Sequence, residues 1–152
     1  MIFRNLSQKN AQHIAYRWKY KGDDARYTLA KDPTTQQEFI SKKLRKQNYY
    51  EVIDEDKLFG YLQIEEKDDG LWLTFGMRPE LTGQGKGQAF LDGILEFVKD
   101  KHGIDKPVLL AVGLFNERAI HLLRKNQFYD IQTRKFNLDD GKHDYVVLRR
   151  DW

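Results

Sequence analysis

Three glycines alternate in Thr82-Gly83-Gln84-Gly85-Lys86-Gly87-Gln88, immediately before an amphipathic run. A main chain without Cβ atoms can approach a ligand closely and take positive φ. Successive N–H groups that open a helix make an anion site, and the helix dipole reinforces it. Lys86 adds a mobile positive charge. This chemistry suits a diphosphate. A tight turn from strand to helix would use the same glycines with no ligand. Two familiar phosphate motifs fit poorly, because no Gly-Lys-Ser/Thr follows and the glycine spacing is too narrow for a dinucleotide fingerprint.

The elements that must position this stretch are legible from periodicity. Leu71–Arg78 reads as the last strand of a meander, ended by Pro79, which lacks a backbone donor. The earlier strands of the meander are Tyr49–Ile53 and Leu58–Glu65, joined by the polar turns Asp54–Lys57 and Lys67–Gly70. After the glycines, Phe90, Leu91, Ile94, Leu95 and Val98 form a helical stripe from about Gly87 to Lys101. Val108–Val112 is a buried-strand run. Asn116 can cap a further helix with Ala119, Ile120, Leu122 and Leu123 inward. Two strands, Phe128–Phe136 and His143–Arg149, close the chain around Asp139-Asp140-Gly141. Upstream, residues 2–5 suggest a short strand, and Ser7 a helix cap with Ala11, Ile14, Ala15 and Trp18 on one face. Lys19–Lys31 is polar and aromatic, with a Gly-Asp-Asp turn. Asp32-Pro33 starts a second helix with Phe39, Ile40 and Leu44 as its stripe.

Composition bounds the possibilities. A chain of 152 residues, 40 % hydrophobic and 32 % charged, fits one soluble domain spanning 1–152. The net charge of +3 does not demand a nucleic-acid partner, and the run Lys42-Lys43-Leu44-Arg45-Lys46 reads as a solvated helix face. The chain has no cysteine, which excludes disulfides and thiolate chemistry. No histidine–carboxylate cluster has metal spacing, so no metal is expected. No apolar run reaches membrane-spanning length. A cytoplasmic protein is the expectation.

Arg78-Pro79-Glu80-Leu81-Thr82-Gly83-Gln84-Gly85-Lys86-Gly87 resembles the cofactor loop of the GNAT acyltransferase superfamily, Gln/Arg-x-x-Gly-x-Gly/Ala after a Pro-containing strand end. Gly85 and Gly87 match, and Thr82 replaces the leading Gln or Arg. A second family element, Asn-x-x-Ala-x-x-Leu-Tyr-x-x-x-Gly-Phe, is matched by Asn116, Ala119, Leu122 and Phe128, with Leu123 for the tyrosine and Gln127 for the glycine. The resemblance covers about Leu58 to Phe136, and the element order extends it. It implies an α/β fold of α+β type, with a mainly antiparallel mixed sheet of about six to seven strands flanked by about four helices, and a splayed strand pair at the cofactor.

The resemblance also implies an N-acetyltransferase that moves an acetyl group from acetyl-CoA to a primary amine of a small molecule or peptide by direct attack. A non-catalytic acyl-CoA binder or sensor on the same fold is the alternative. Gly83, Gln84, Gly85, Lys86, Gly87 and Gln88 would hold the pyrophosphate. Main-chain groups of Phe75, Gly76 and Met77 would face the pantetheine arm, with Gly76 as a bulge signal, and an N–H there would stabilise the thioester oxyanion. Asn116 would reach the cofactor from the other side, or serve only as a helix cap. A homodimer is compatible with the family.

The proton chemistry does not carry over. Leu123 cannot donate a proton, and Leu71–Phe75 contains no carboxylate. Glu51, Glu65, Tyr129 and Tyr145 are the remaining candidates, each also readable as a solvated or packing residue, and His121 reads as surface. The acceptor site is expected at the first helix, the loop after it and the meander. Tyr16, Trp18, Tyr20, Tyr27, Tyr49 and Tyr50 gather aromatic mass there, against which a cationic amine can stack.

Overall fold

The computed structural model describes residues 1–21, 33–45, 48–138 and 141–152. The strands are β1 (Ile2–Asn5), β2 (Tyr49–Asp54), β3 (Lys57–Lys67), β4 (Gly70–Met77), β5 (Val108–Gly113), β6 (Tyr129–Leu138) and β7 (Gly141–Arg150). The helices are α1 (Gln8–Arg17), α2 (Pro33–Ile40), α3 (Lys42–Arg45), α4 (Gly87–His102) and α5 (Glu117–Lys125), with a 3-10 turn at Pro79–Leu81. The strands form a seven-stranded sheet ordered β1-β2-β3-β4-β5-β7-β6. β4 and β5 pair in parallel, Leu71 with Val108 and Trp72 with Leu109. The β1–β2, β2–β3, β5–β7 and β6–β7 pairs are antiparallel. This is the mixed, mainly antiparallel α/β sheet expected. Tyr27, the Gly-Asp-Asp turn, Lys46 and the Asp139-Asp140 turn lie outside the described residues.

The described chain divides into two compact units, Met1–Gln63 with Phe75–Gln84, and Ile64–Thr74 with Gly85–Trp152. In the first, Ser7 caps α1 as expected, its hydroxyl accepting from the Asn10 N–H at 3.1 Å. Ala11, Ile14 and Ala15 recur at helical spacing and are buried, and Trp18 follows them into the core. They join Phe39, Tyr49 and Tyr61 in one cluster. Phe39 meets Tyr49 and Tyr61 edge-on, at 5.6 and 5.1 Å between ring centroids, a favoured arrangement for ring quadrupoles.

The expected stripe Phe39, Ile40, Leu44 is corrected at its last member. The helix breaks at Ser41, whose hydroxyl accepts from the Leu44 N–H and starts α3 afresh. The break rotates the register. Leu44 is left exposed, and Arg45 is buried instead. Its guanidinium donates to the Phe39 carbonyl at 2.6 Å and to Gln8 Oε1 at 2.8 Å. Arg45 therefore leaves the basic run that read as a solvated face.

In the second unit, α4 buries Phe90, Leu91, Ile94 and Val98, and Val108–Leu110 and Val146–Leu148 are buried strand segments. Helix α5 ends in a Schellman motif: the Phe128 N–H donates to the Leu123 carbonyl at 3.1 Å, and both side chains are buried. The motif needs a left-handed residue between them, and Gln127 supplies it at φ 71°. The family pattern has glycine there, for which that conformation carries no Cβ penalty. Gln127→Gly should stabilise the protein by about 0.5–1 kcal/mol, after the greater freedom of an unfolded glycine is subtracted. A thermal melt should rise by roughly 2 °C; an unchanged or lower midpoint would show that Gln127 is not strained.

Candidate functional site

The chain leaves β4 through the 3-10 turn, where the Thr82 hydroxyl donates to the Pro79 carbonyl at 2.6 Å and the Gln84 amide to the Glu80 carbonyl at 2.8 Å. Gly83 and Gly85 both take φ 74°, a region that L side chains rarely enter. A Cβ at Gly85 would meet no atom within 4 Å. Glycine is required there by backbone conformation and not by crowding. Lys86 then caps α4 without a side-chain hydrogen bond. The first intrahelical bond of α4 runs from the Phe90 N–H to the Lys86 carbonyl. The N–H groups of Gly87, Gln88 and Ala89 precede it and have no partner within the helix, as in any first turn. A Cβ at Gly87 would come within 3.2 Å of Leu122 Cδ2, so this glycine lets α4 pack closely on α5. The Gln88 side chain is already engaged by Asp92 and Asn126 at 2.8 Å each. What Gln88 offers a ligand is its main-chain N–H.

Phe75, Gly76 and Met77 are the last three residues of strand β4 and are half-buried. Gly76 has a packing reason of its own: a Cβ there would fall 2.6 Å from Tyr61 Cε1. Tyr61 is buried, and burial pushes its phenol up to about 12. The Tyr20 hydroxyl donates to the Met77 carbonyl at 2.5 Å, which fixes the start of the loop after α1 against the end of β4. Asn116 caps α5, its Oδ1 accepting from the Ala119 N–H at 3.1 Å. The α4–α5 contact at Leu122 lies six residues further on, about 9 Å along the axis.

The acid–base candidates separate clearly. Glu51 is 1 % exposed and not the solvated strand carboxylate that the sequence suggested. It accepts from Arg4 Nε at 2.7 Å, the Ser7 N–H at 2.9 Å and Asn10 Nδ2 at 3.0 Å. Burial works to raise its carboxyl, but these donors outweigh it and hold the group below the usual glutamate range. Glu51 ties β1, β2 and α1 together and is no poised base. Glu65 is half-exposed, 3.9 Å from Lys67. The Tyr129 hydroxyl is bound to Asp151 at 2.7 Å. Tyr145 pairs with Gly113 at the end of β5, three residues before Asn116. Leu123 is buried and His121 exposed. Of the aromatics, Trp18, Tyr49 and Tyr50 belong to the core, and the Tyr49 hydroxyl is bonded to Glu38. Tyr16 remains exposed.

Tyr16 lines an open cavity of about 700 Å³ in the first unit, with Lys9, His13, Arg17, Leu58 and Arg78. Apart from Tyr16, these residues were missed from sequence. The α1 members sit on the polar helix face, which is written like any solvated face. Among the described residues, no group of three or more His, Cys, Asp or Glu is placed to hold a metal ion, and no helix is long and apolar enough to cross a membrane.

Known structures share this fold at low identity. A chimera of the Vibrio cholerae spermidine N-acetyltransferase and hSSAT matches with a TM-score of 0.75 and 15 % identity, covering 99 % of this chain and 95 % of its own. An Escherichia coli N-acetyltransferase of a ribosomal-protein alanine matches at 0.66 and 16 %, covering 98 % and 92 %. A GNAT-family acetyltransferase from Streptococcus pneumoniae matches at 0.66 and 16 %, covering 98 % and 97 %. No curated relative matches at the sequence level. The profile of the acetyltransferase (GNAT) family matches residues 12–128, a span that contains the meander, the glycine loop and both motif helices. The chain therefore belongs to the GNAT acetyltransferase family.

Proposed function

We propose that the chain is an N-acetyltransferase that uses acetyl-CoA to acetylate a primary amine of a small molecule or peptide. The observation that carries this reading is the start of α4. Two glycines at positive φ deliver the chain to a helix whose first N–H groups carry no side-chain cap. Those donors, with the helix dipole, suit a diphosphate. The open space around Gly85 fits the close approach of such a group. Gly83 to Gln88 would bind it, and main-chain groups of Phe75, Gly76 and Met77 would line the arm that follows. Asn116 keeps its amide nitrogen for the same ligand while its oxygen caps α5. Acetyl-CoA supplies the thioester. The amine nitrogen attacks the carbonyl carbon, the C–S bond breaks, and the proton lost by nitrogen goes to the departing sulfur.

A second reading, a non-catalytic acyl-CoA binder, is favoured by the buried Leu123 and by the full commitment of Glu51 to structural hydrogen bonds. Two measurements separate the readings. CoA at one hundred times its Kd should stabilise the protein by about 2.7 kcal/mol, or roughly 5–10 °C at this size. Thiol release from acetyl-CoA with a panel of primary amines should then show turnover. No thermal shift at millimolar CoA would end both readings; a shift without thiol release from any amine would leave the binder.

A further inference from the structure

The cavity on the first unit has a charge pattern that names its occupant. Lys9, His13 and Arg17 recur every four residues, so they stand on one face of α1. Arg78, which follows β4, faces the same cavity, and Leu58 contributes apolar surface. None of the lining residues is a carboxylate, and α1 contains none. Among the described residues, Lys9, Arg17 and Arg78 have no acidic partner. Glu80, two residues after Arg78, and Asp54, Glu55 and Asp56 of the β2–β3 turn do not line the cavity, and Asp54 lies 3.6 Å from the N-terminal amine. Glu51 is enclosed by its own donors.

One further atom points to a ligand. Arg78 Nε is buried and makes no hydrogen bond among the described residues. A buried guanidinium N–H without an acceptor is unfavourable, and native proteins seldom retain one. A carboxylate or phosphate satisfies it, since guanidinium pairs with two oxygens of either group through parallel hydrogen bonds. The place also fits. Arg78 is the residue after Met77, and its N–H donates to the Phe59 carbonyl at 2.8 Å. The cavity thus begins where the stretch proposed to line the cofactor arm ends.

We infer that this cavity binds the acceptor, and that the acceptor amine carries a compact oxyanion, a carboxylate or a phosphate, which Arg78 and the cationic face of α1 hold. The inference rests on the acetyltransferase reading for its assignment to the acceptor. Polyamines, all positive, are the wrong charge for this surface.

The test uses paired acceptors with and without the oxyanion: a dipeptide against its C-terminal amide, and phosphoethanolamine against ethanolamine. Calorimetric titration should show at least one anionic member binding ten-fold or more tighter than its neutral partner. The pair that shows it identifies carboxylate or phosphate. In Arg78→Gln the preference should fall to under three-fold, while the thermal shift given by CoA stays. Neutral members that bind as well as the anionic ones overturn the inference. So does an anion preference that survives in Arg78→Gln and again in Arg17→Gln. Loss of the CoA shift in Arg78→Gln with the acceptor preference unchanged would assign Arg78 to the cofactor and also overturn it. Thiol release is followed in parallel. If no acceptor supports it, the acetyltransferase reading fails while the binding preference still decides the charge of the occupant.

Discussion

Gly85→Val should abolish the stabilisation that CoA confers while leaving the protein folded. Gly85 stands at φ 74°, and nothing lies within 4 Å of where its Cβ would be. The added side chain therefore meets no clash; the penalty is conformational, about 1–3 kcal/mol for a β-branched residue held in that region. The loop can escape the penalty by moving φ negative, because Gly85 is exposed. That movement turns the N–H groups ahead of α4 away from one another, and an anion site depends on their convergence. The folded protein should lose only a few degrees of midpoint, while the shift of roughly 5–10 °C from CoA at one hundred times Kd vanishes. Gly103 provides the control. It ends the same helix at φ 79° and ψ −162° with nothing within 4 Å, so Gly103→Val also carries backbone strain, at the opposite terminus. It should lose at least as much stability and keep the CoA shift. Equal loss of the shift in both variants would show that strain, not ligand geometry, is being measured.

The contrast between these glycines shows what the sequence made legible. Alternating glycines before an amphipathic run announce a strand, a turn and an open helix start, because only glycine takes positive φ freely. The caps at Ser7 and Asn116 were readable for a similar reason: short polar side chains satisfy local N–H groups. Gly76 was less transparent. Within a strand it signals a bulge or a close approach, and only the Tyr61 ring at 2.6 Å from its notional Cβ supplies the second reason. The break at Ser41 was hidden, because the apolar spacing of Phe39, Ile40 and Leu44 continues through it as though the helix did. The cationic cavity was hidden more deeply. A solvated helix face and a face that lines a pocket share one composition, and they differ only in what the fold places opposite them.

Glu51 was hidden in the same way, and it carries the second large effect. Its identity suggests a solvent-facing strand residue, yet its side chain is 1 % exposed and opposite Arg4 in the β1–β2 ladder. Glu51→Gln should destabilise the protein by about 3 kcal/mol, since hydrogen bonds to a charged group contribute roughly 1.5–3 kcal/mol each and an amide can accept through only one atom. The amide nitrogen would face a donor, whichever way it is turned. Arg4 is largely exposed, so water can take over its charge and limit the loss. The thermal midpoint should fall by about 6–12 °C. The folded carboxyl is held below the ordinary glutamate range, so its contribution is fully present above that range. It is lost as pH falls through the folded value, where the group takes up a proton. The gap between wild type and variant should thus be constant from neutral pH down to about 5 and close at lower pH. A residue with this role leaves catalysis alone. Assayed well below its midpoint, Glu51→Gln should retain kcat within about three-fold, under 1 kcal/mol of barrier. A hundred-fold fall in kcat with the midpoint unmoved would instead make Glu51 the base that the sequence offered.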